Sequence, residues 1–342
     1  MAKLRIGVIG LGMAVTPHAK SLLDLKDRVE VAYAFSPSAA RRQAFSGKFA
    51  FPLCERLDAI LNDKSVGAVM VLTPPNTHLE IVRQCAAAGK HVLLEKPLEV
   101  STARAVELVD ACRKAGVTLG IVLQHRFRPA GMKLASMIQH GEIGSIVGCS
   151  TVIRVWRPQK YYDEPGRGTK ARDGGGVLLT QGIHTLDLML SLAGPVSEVR
   201  GFSTTTAVHR METEDMVCAA VRYANGAHGT IDATTAAYPG FPERIEIIGT
   251  EATASLAGTE LKVARHDGTT VTVSPDASGG GTGADPMDFP HDYHRSVLSD
   301  FVEAVGAGRQ PKVSGQEALK VHRLIDALME AGATGRTVAV AR

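Results

Sequence analysis

Over its first 122 residues the chain alternates two hydrophobic patterns. Strand-like runs at 4–9, 29–35, 67–72, 91–95 and 117–122 are separated by stretches of helical spacing at 14–25, 37–47, 55–62, 77–88 and 101–115. The run Gly67-Ala68-Val69-Met70-Val71-Leu72 is apolar throughout, as suits a parallel strand buried on both faces. This alternation predicts a doubly wound α/β sheet, in which ligands bind at the carboxyl ends of the strands.

The pattern changes near residue 123. A helix predicted at 130–140 precedes alternating stretches at 145–156, 196–206, 214–223, 227–236, 243–249 and 252–273, interrupted by a helix at 183–193. Their period of two predicts an open, mostly antiparallel sheet with one covered face. Residues 274–290, which include Gly279-Gly280-Gly281, read as a surface loop. Helices at 291–307 and 315–331 and a short strand at 337–340 follow. The expected fold is an N-terminal Rossmann-type dinucleotide-binding domain, 1–122, and a C-terminal α+β domain, 123–342. The C-terminal helix is left free to pack back on the first domain.

Composition narrows the function. With 342 residues, 44% hydrophobic and 21% charged, the chain suits two globular domains. A net charge of +3 without a basic, aromatic-interleaved stripe argues against nucleic-acid binding. The five cysteines lack CxxC spacing, so neither a disulfide framework nor a zinc site is expected, and no metal is assigned. The first apolar run ends in a glycine turn, and no run approaches the ~20 residues that span a bilayer. A cytoplasmic location away from membranes is the expectation.

The candidate chemistry begins at Gly10-Leu11-Gly12, directly after the first strand. The first glycine permits a tight turn and the second lets backbone approach a pyrophosphate at the following helix N-terminus. The third fingerprint position is Val15, and Ala14 supplies the small residue. Glu95-Lys96-Pro97 closes a strand, with Pro97 biasing Lys96 toward an extended backbone. A lysine beside another cation can have a lowered pKa and can hydrogen-bond a reacting hydroxyl. Thr73-Pro74-Pro75-Asn76-Thr77-His78 makes an extended turn in which Asn76 or Thr77 can cap the next helix. In Asp173-Gly174-Gly175-Gly176 through His184, the glycines permit close approach to a ligand. Thr180, Gln181 and His184 are spaced to share a helix face, and histidine suits general-base work on an alcohol. Trp156, the only tryptophan, stands among Arg154, Arg157, Tyr161, Tyr162, Arg167 and Arg172, a set able to stack on sugars and grip anions.

Assembled, these segments resemble the Gfo/Idh/MocA oxidoreductases. The resemblance rests on the GLG turn, Thr73–His78, Ala88 to Pro97, the glycine-to-histidine segment at 174–184 and Gly335-Arg336-Thr337-Val338. It implies reversible hydride transfer between NAD(P) and a sugar, sugar derivative or cyclitol, and a homodimer or homotetramer built on the open sheet. It implies that Lys96 contacts cofactor and substrate and that His184 is the acid/base. Cofactor contacts are expected from Gly10, Gly12, Met13 and Ala14, from Ser36 and Arg41, and from Thr73, Pro74, Asn76 and His78. Glu95, Lys96, Pro97 and Arg126 complete that set. Substrate contacts are expected from Lys96, Arg126, Trp156, Tyr162, Arg167 and Arg172, together with Thr180, Gln181 and His184. Many family members carry an aspartate four residues before the histidine; this chain carries Thr180.

The second strand ends at Ser36, with Arg41 and Arg42 close behind, rather than at the acidic residue that binds a ribose 2′-hydroxyl. This favours NADP over NAD. Two other readings of the same fold are an NAD-dependent glycoside hydrolase and a non-catalytic dinucleotide-sensing regulator.

Overall fold

The computed structural model describes residues 3–274 and 290–341. Apart from its two end residues, the loop expected at 274–290 lies outside them. The chain divides into two compact units, Met1–Gln124 with His291–Leu319, and His125–Pro290 with Lys320–Arg342.

In the first unit, β1 (Leu4–Ile9), α1 (Val15–Asp24), β2 (Val29–Phe35), α2 (Ala39–Ser46), β3 (Leu53–Cys54), α3 (Leu57–Asn62), β4 (Ala68–Val71), α4 (His78–Ala87), β5 (His91–Leu94), α5 (Thr102–Ala115) and β6 (Leu119–Ile121) follow in order. The sheet runs β3-β2-β1-β4-β5-β6 and every pairing is parallel. All four residues of β4 are buried, as their unbroken apolar character predicts. The strand order reverses between β1 and β4, and this switch point opens a crevice at the carboxyl ends of the strands. Ser101 caps α5 by accepting the Arg104 N–H, and Gly116, in the left-handed region, ends it.

The second unit contains α6 (Pro129–Gln139), β7 (Ile146–Arg154), α7 (Gln159–Tyr162), α8 (Lys170–Asp173), α9 (Ile183–Ala193), β8 (Val196–Thr204), β9 (Met216–Tyr223), β10 (His228–Thr234), β11 (Arg244–Gly249), β12 (Ala252–Ala257), β13 (Glu260–Arg265) and β14 (Thr270–Val273). Helix α10 (Asp292–Ala307) and the first turn of α11 (Gly315–Thr334) belong to the first unit, and β15 (Val338–Ala339) to the second. The nine-stranded sheet runs β14-β13-β12-β11-β7-β10-β9-β8-β15 and is antiparallel except for the β10–β7 pair. Alternation sets its faces: in β9, Val217, Ala219, Val221 and Tyr223 are buried while Cys218, Ala220 and Arg222 are exposed. Helices α6 and α9 pack on the buried face. Residues 170–193 form a helical stretch long and apolar enough to cross a membrane, contrary to the sequence expectation, yet 83% of its apolar window is buried within the protein.

Candidate active site

In the first unit, three loops leave the carboxyl ends of neighbouring strands. Backbone bonds hold these ends in line: Gly10 N–H to Phe35 O, Leu72 N–H to Ile9 O, and Glu95 N–H to Val71 O, all 2.8–2.9 Å. Gly10 has φ +104°, and a Cβ there would stand 2.8 Å from the Leu72 carbonyl carbon, so only glycine serves. Gly12 has open space where a Cβ would project. Met13 is exposed, Ala14 stands at the N-cap of α1, and that helix begins without a side-chain cap on its N–H groups. No side chain caps the helix start where a pyrophosphate would sit.

At the end of β2, Ser36 is buried and its Oγ accepts the Ser38 N–H at 3.3 Å. Arg42 is held by the Ser36 carbonyl and by Glu55, at 2.8 and 2.6 Å. Arg41 is exposed and carries no ion pair among the described residues.

The loop after β4 places Thr73 half-buried and Pro74 and Asn76 exposed. Thr77 occupies the N-cap of α4 but does not cap it; its hydroxyl bonds instead to Thr73 Oγ1 and the Pro74 carbonyl. His78, expected to touch cofactor, is fully buried. Its ring reaches the carbonyls of Thr73, Pro97 and Leu98 at 2.8–3.1 Å. Burial lowers its pKa against the pull of those carbonyls. His78 is a brace between two loops, a role its motif position alone does not reveal.

The Lys96–Pro97 peptide is cis, Lys96 is half-buried and Pro97 is buried. Glu95 Oε1 lies 2.7 Å from His18 Nε2, and Glu95 Oε2 accepts the Lys96 N–H at 3.0 Å. Burial alone would raise the Glu95 pKa, but the His18 hydrogen bond and nearby positive charge bring it down to about 2. His294 of α10 meets His18 edge-on, with ring centroids 5.1 Å apart, and burial pushes its pKa down to about 3.

In the second unit, one turn of π-helix, Leu178–Gly182, leads into α9 and His184. Such turns widen a helix locally and recur at functional sites. Glu214 anchors the approach: its carboxylate accepts the Gly176 and Leu178 N–H groups at 2.9 and 3.2 Å. Burial raises its pKa. A Cβ on Gly176 would lie 1.7 Å from the Glu214 carbonyl oxygen. That glycine serves close packing of backbone on backbone rather than the ligand approach expected from sequence.

His184 is half-buried, and its ring stacks on His125 with centroids 5.0 Å apart and planes 28° apart. Glu243 Oε1 lies 3.6 Å from His125 Nδ1 and also pairs with Arg128. Thr180 turns its hydroxyl to the Gly176 carbonyl at 2.6 Å and against the Gln181 side chain. The neighbour of His184 is thus an imidazole backed by a carboxylate.

Other expected contacts have internal partners. Arg126 forms a buried two-pronged bond to Asp187, at 2.7 and 2.6 Å. Tyr162 is buried and its hydroxyl donates to Thr235 Oγ1 at 2.9 Å. Arg167 and Arg172 both bond Glu164, and Arg167 also lies 4.3 Å over the Tyr161 ring. Trp156 is half-buried beside Tyr238, with centroids 5.5 Å apart.

Sequence reasoning passed over His18, His125, Asp187 and Glu214. For Asp187 a signal existed, since a carboxylate inside Leu186-Asp187-Leu188-Met189-Leu190 requires a buried partner. A cleft of about 570 Å³ lined by Leu4, Lys64, Gly67, Lys90 and His91 lies at the amino ends of the strands, opposite the glycine turn, and is not the candidate site.

Comparison with known proteins agrees with this geometry. Residues 4–122 match the model of an oxidoreductase family with an NAD-binding Rossmann fold, and residues 132–255 match the GFO/IDH/MocA C-terminal domain. The WlbA dehydrogenase of Bordetella pertussis, solved with NADH and UDP-GlcNAcA, superposes with a TM-score of 0.85 at 28% identity over the whole of both chains. Myo-inositol 2-dehydrogenase of Thermotoga maritima is 28% identical over 92% of each chain. The 1,5-anhydro-D-fructose reductase of Ensifer adhaerens is 28% identical over 91% of each. The chain is an oxidoreductase of the Gfo/Idh/MocA family, with a nicotinamide-dinucleotide-binding Rossmann domain.

Proposed function

We propose that the protein transfers hydride between NADP(H) and the secondary alcohol or ketone of a sugar, sugar derivative or cyclitol. The carrying observation is the open turn at Gly10–Gly12 with Lys96 two strands away at the same end of one parallel sheet. The substrates named for the relatives support the substrate class. When bound, the dinucleotide supplies the hydride acceptor or donor. The turn at Gly10–Gly12 and the start of α1 would hold its pyrophosphate. Lys96 holds and polarises the reacting oxygen, and His184 takes or returns the hydroxyl proton.

The preference for NADP follows from the end of β2. The strand ends in Ser36 rather than in an acidic residue for a ribose 2′-hydroxyl, and Arg41 offers an exposed guanidinium to a 2′-phosphate. A charge-assisted hydrogen bond contributes ~1.5–3 kcal/mol, or about 10- to 100-fold in Kd. Fluorescence titration should show NADPH binding at least about tenfold tighter than NADH. Arg41→Ala should erase that gap by weakening NADPH alone; equal affinities in the unaltered protein contradict the preference. Reduced-cofactor absorbance against neutral sugars, cyclitols, uronates and nucleotide-linked sugars tests the activity itself. Tight cofactor binding with no turnover on any of them overturns it.

The same reading makes the protein a homo-oligomer. Phe202 of β8 and Ile248 of β11 project, 78% and 51% exposed, from the sheet face that α6 and α9 leave bare. Equilibrium sedimentation giving only monomer at micromolar concentration opposes this.

A further inference from the structure

We propose that His18 is a positioning residue for Lys96, acting through the Glu95 carboxylate. This rests on the reading of Lys96 as a catalytic residue. His18 lies on α1, the helix that follows the phosphate-binding turn, and its ring is 1% exposed. One oxygen of Glu95 meets His18 Nε2 at 2.7 Å and the other accepts the Lys96 peptide N–H at 3.0 Å. A single carboxylate therefore ties the dinucleotide-binding helix to the turn that presents the lysine. With both oxygens engaged, rotation of the carboxylate breaks one bond or the other.

The charged and titratable groups around the carboxylate are His18 from α1, Lys96 from its own loop, and His291 and His294 from α10. His291 is drawn to Asp24 at 2.8 Å, where Arg295 also binds. His294, with its pKa down near 3, is neutral at working pH. Among the described residues, His18 is the side chain seen hydrogen-bonding to Glu95 Oε1. The same three side chains offer two imidazoles and a carboxylate with ligand atoms within 4.8 Å of one another. Two ligands on one tetrahedral zinc stand about 3.3 Å apart, given bonds of about 2.0 Å. The 2.7 Å between His18 and Glu95 is instead the length of a hydrogen bond.

The test uses the full chain with bound dinucleotide. His18→Leu removes the donor, while His18→Gln returns an amide N–H near the Nε2 position. Misplacing a reacting group by about 1 Å costs up to ~100-fold. His18→Leu should therefore lower kcat about 10- to 100-fold, with KM and dinucleotide Kd changed less than about threefold, and His18→Gln should recover most of the loss. A readout independent of turnover is the ¹³C NMR signal of Lys96 after reductive methylation, identified by its absence in Lys96→Arg. That signal should move in His18→Leu and return in His18→Gln. Should His18→Leu fail to fold, Glu95→Gln keeps the shape but can satisfy just one of the two donors, and it should move the same signal. An unmoved Lys96 signal in the folded variants, or a loss in dinucleotide Kd equal to the loss in kcat, overturns the proposal. Absence of turnover in the unaltered protein counts against the proposed activity, and the NMR signal still decides the role of His18.

Discussion

Replacing His184 with asparagine is expected to cut kcat by about 10²- to 10⁴-fold and leave the dinucleotide Kd unchanged, the scale typical of a lost general acid/base. Asparagine keeps the approximate size of the side chain but cannot take up a proton near neutral pH. Position 180 cannot compensate: the Thr180 hydroxyl is bonded to the Gly176 carbonyl, and a hydroxyl carries no charge to offset an imidazolium. His125, stacked on His184 and backed by Glu243, packs against its face and does not meet the ring edge-on as a hydrogen-bonding carboxylate does. Lys96→Met should produce a loss of similar order, since the proposed activity has Lys96 polarise the reacting oxygen. Steady-state rates on the best substrate of the panel, with dinucleotide titrations alongside, make the measurement. Near-native kcat in both variants removes these residues from the chemistry.

The first sheet was legible because its signal is local. A strand buried on both faces, such as β4, must be apolar throughout, and β1, β2 and β5 begin where the sequence pattern begins them. Strand β3 was missed because two residues, Leu53 and Cys54, carry no period. The stretch 252–273 reads as one alternating segment, yet Gly258 and Gly268, at φ +58° and +85°, turn it into β12, β13 and β14. The candidate site divides in the same way. The glycine turn and the Lys96 loop are contiguous motifs, and their residues stand together at the strand ends. The internal partners of Arg126 and Tyr162 were not legible because they are distant in sequence: Asp187 is 61 residues from Arg126 and Thr235 is 73 from Tyr162. An arginine that grips a ligand and one that grips a buried aspartate look identical in a sequence. The partner's own position, in an apolar helix, is the only local hint.

That distinction has a large energetic consequence. Asp187→Ala is expected to destabilise the protein by about 3–5 kcal/mol, because the Arg126 guanidinium loses the carboxylate that faces both of its prongs in a site from which water is excluded. For a domain of this size the loss corresponds to a fall in Tm of roughly 10 °C. Arg126→Met alone should also destabilise, since it takes the two-pronged guanidinium bond away from the buried Asp187 carboxylate. Pairing it with Asp187→Leu should recover much of the loss, because both charges then leave together and similar volumes replace them. Denaturant melts of the two single variants and the double give the coupling energy directly. A merely additive double variant would mean that the pair contributes nothing beyond its separate side chains. Were Arg126 chiefly a ligand contact, Asp187→Ala would instead leave Tm nearly unchanged and alter substrate KM. The size of the stability change therefore separates a structural arginine from a binding one, a question that motif reading left open.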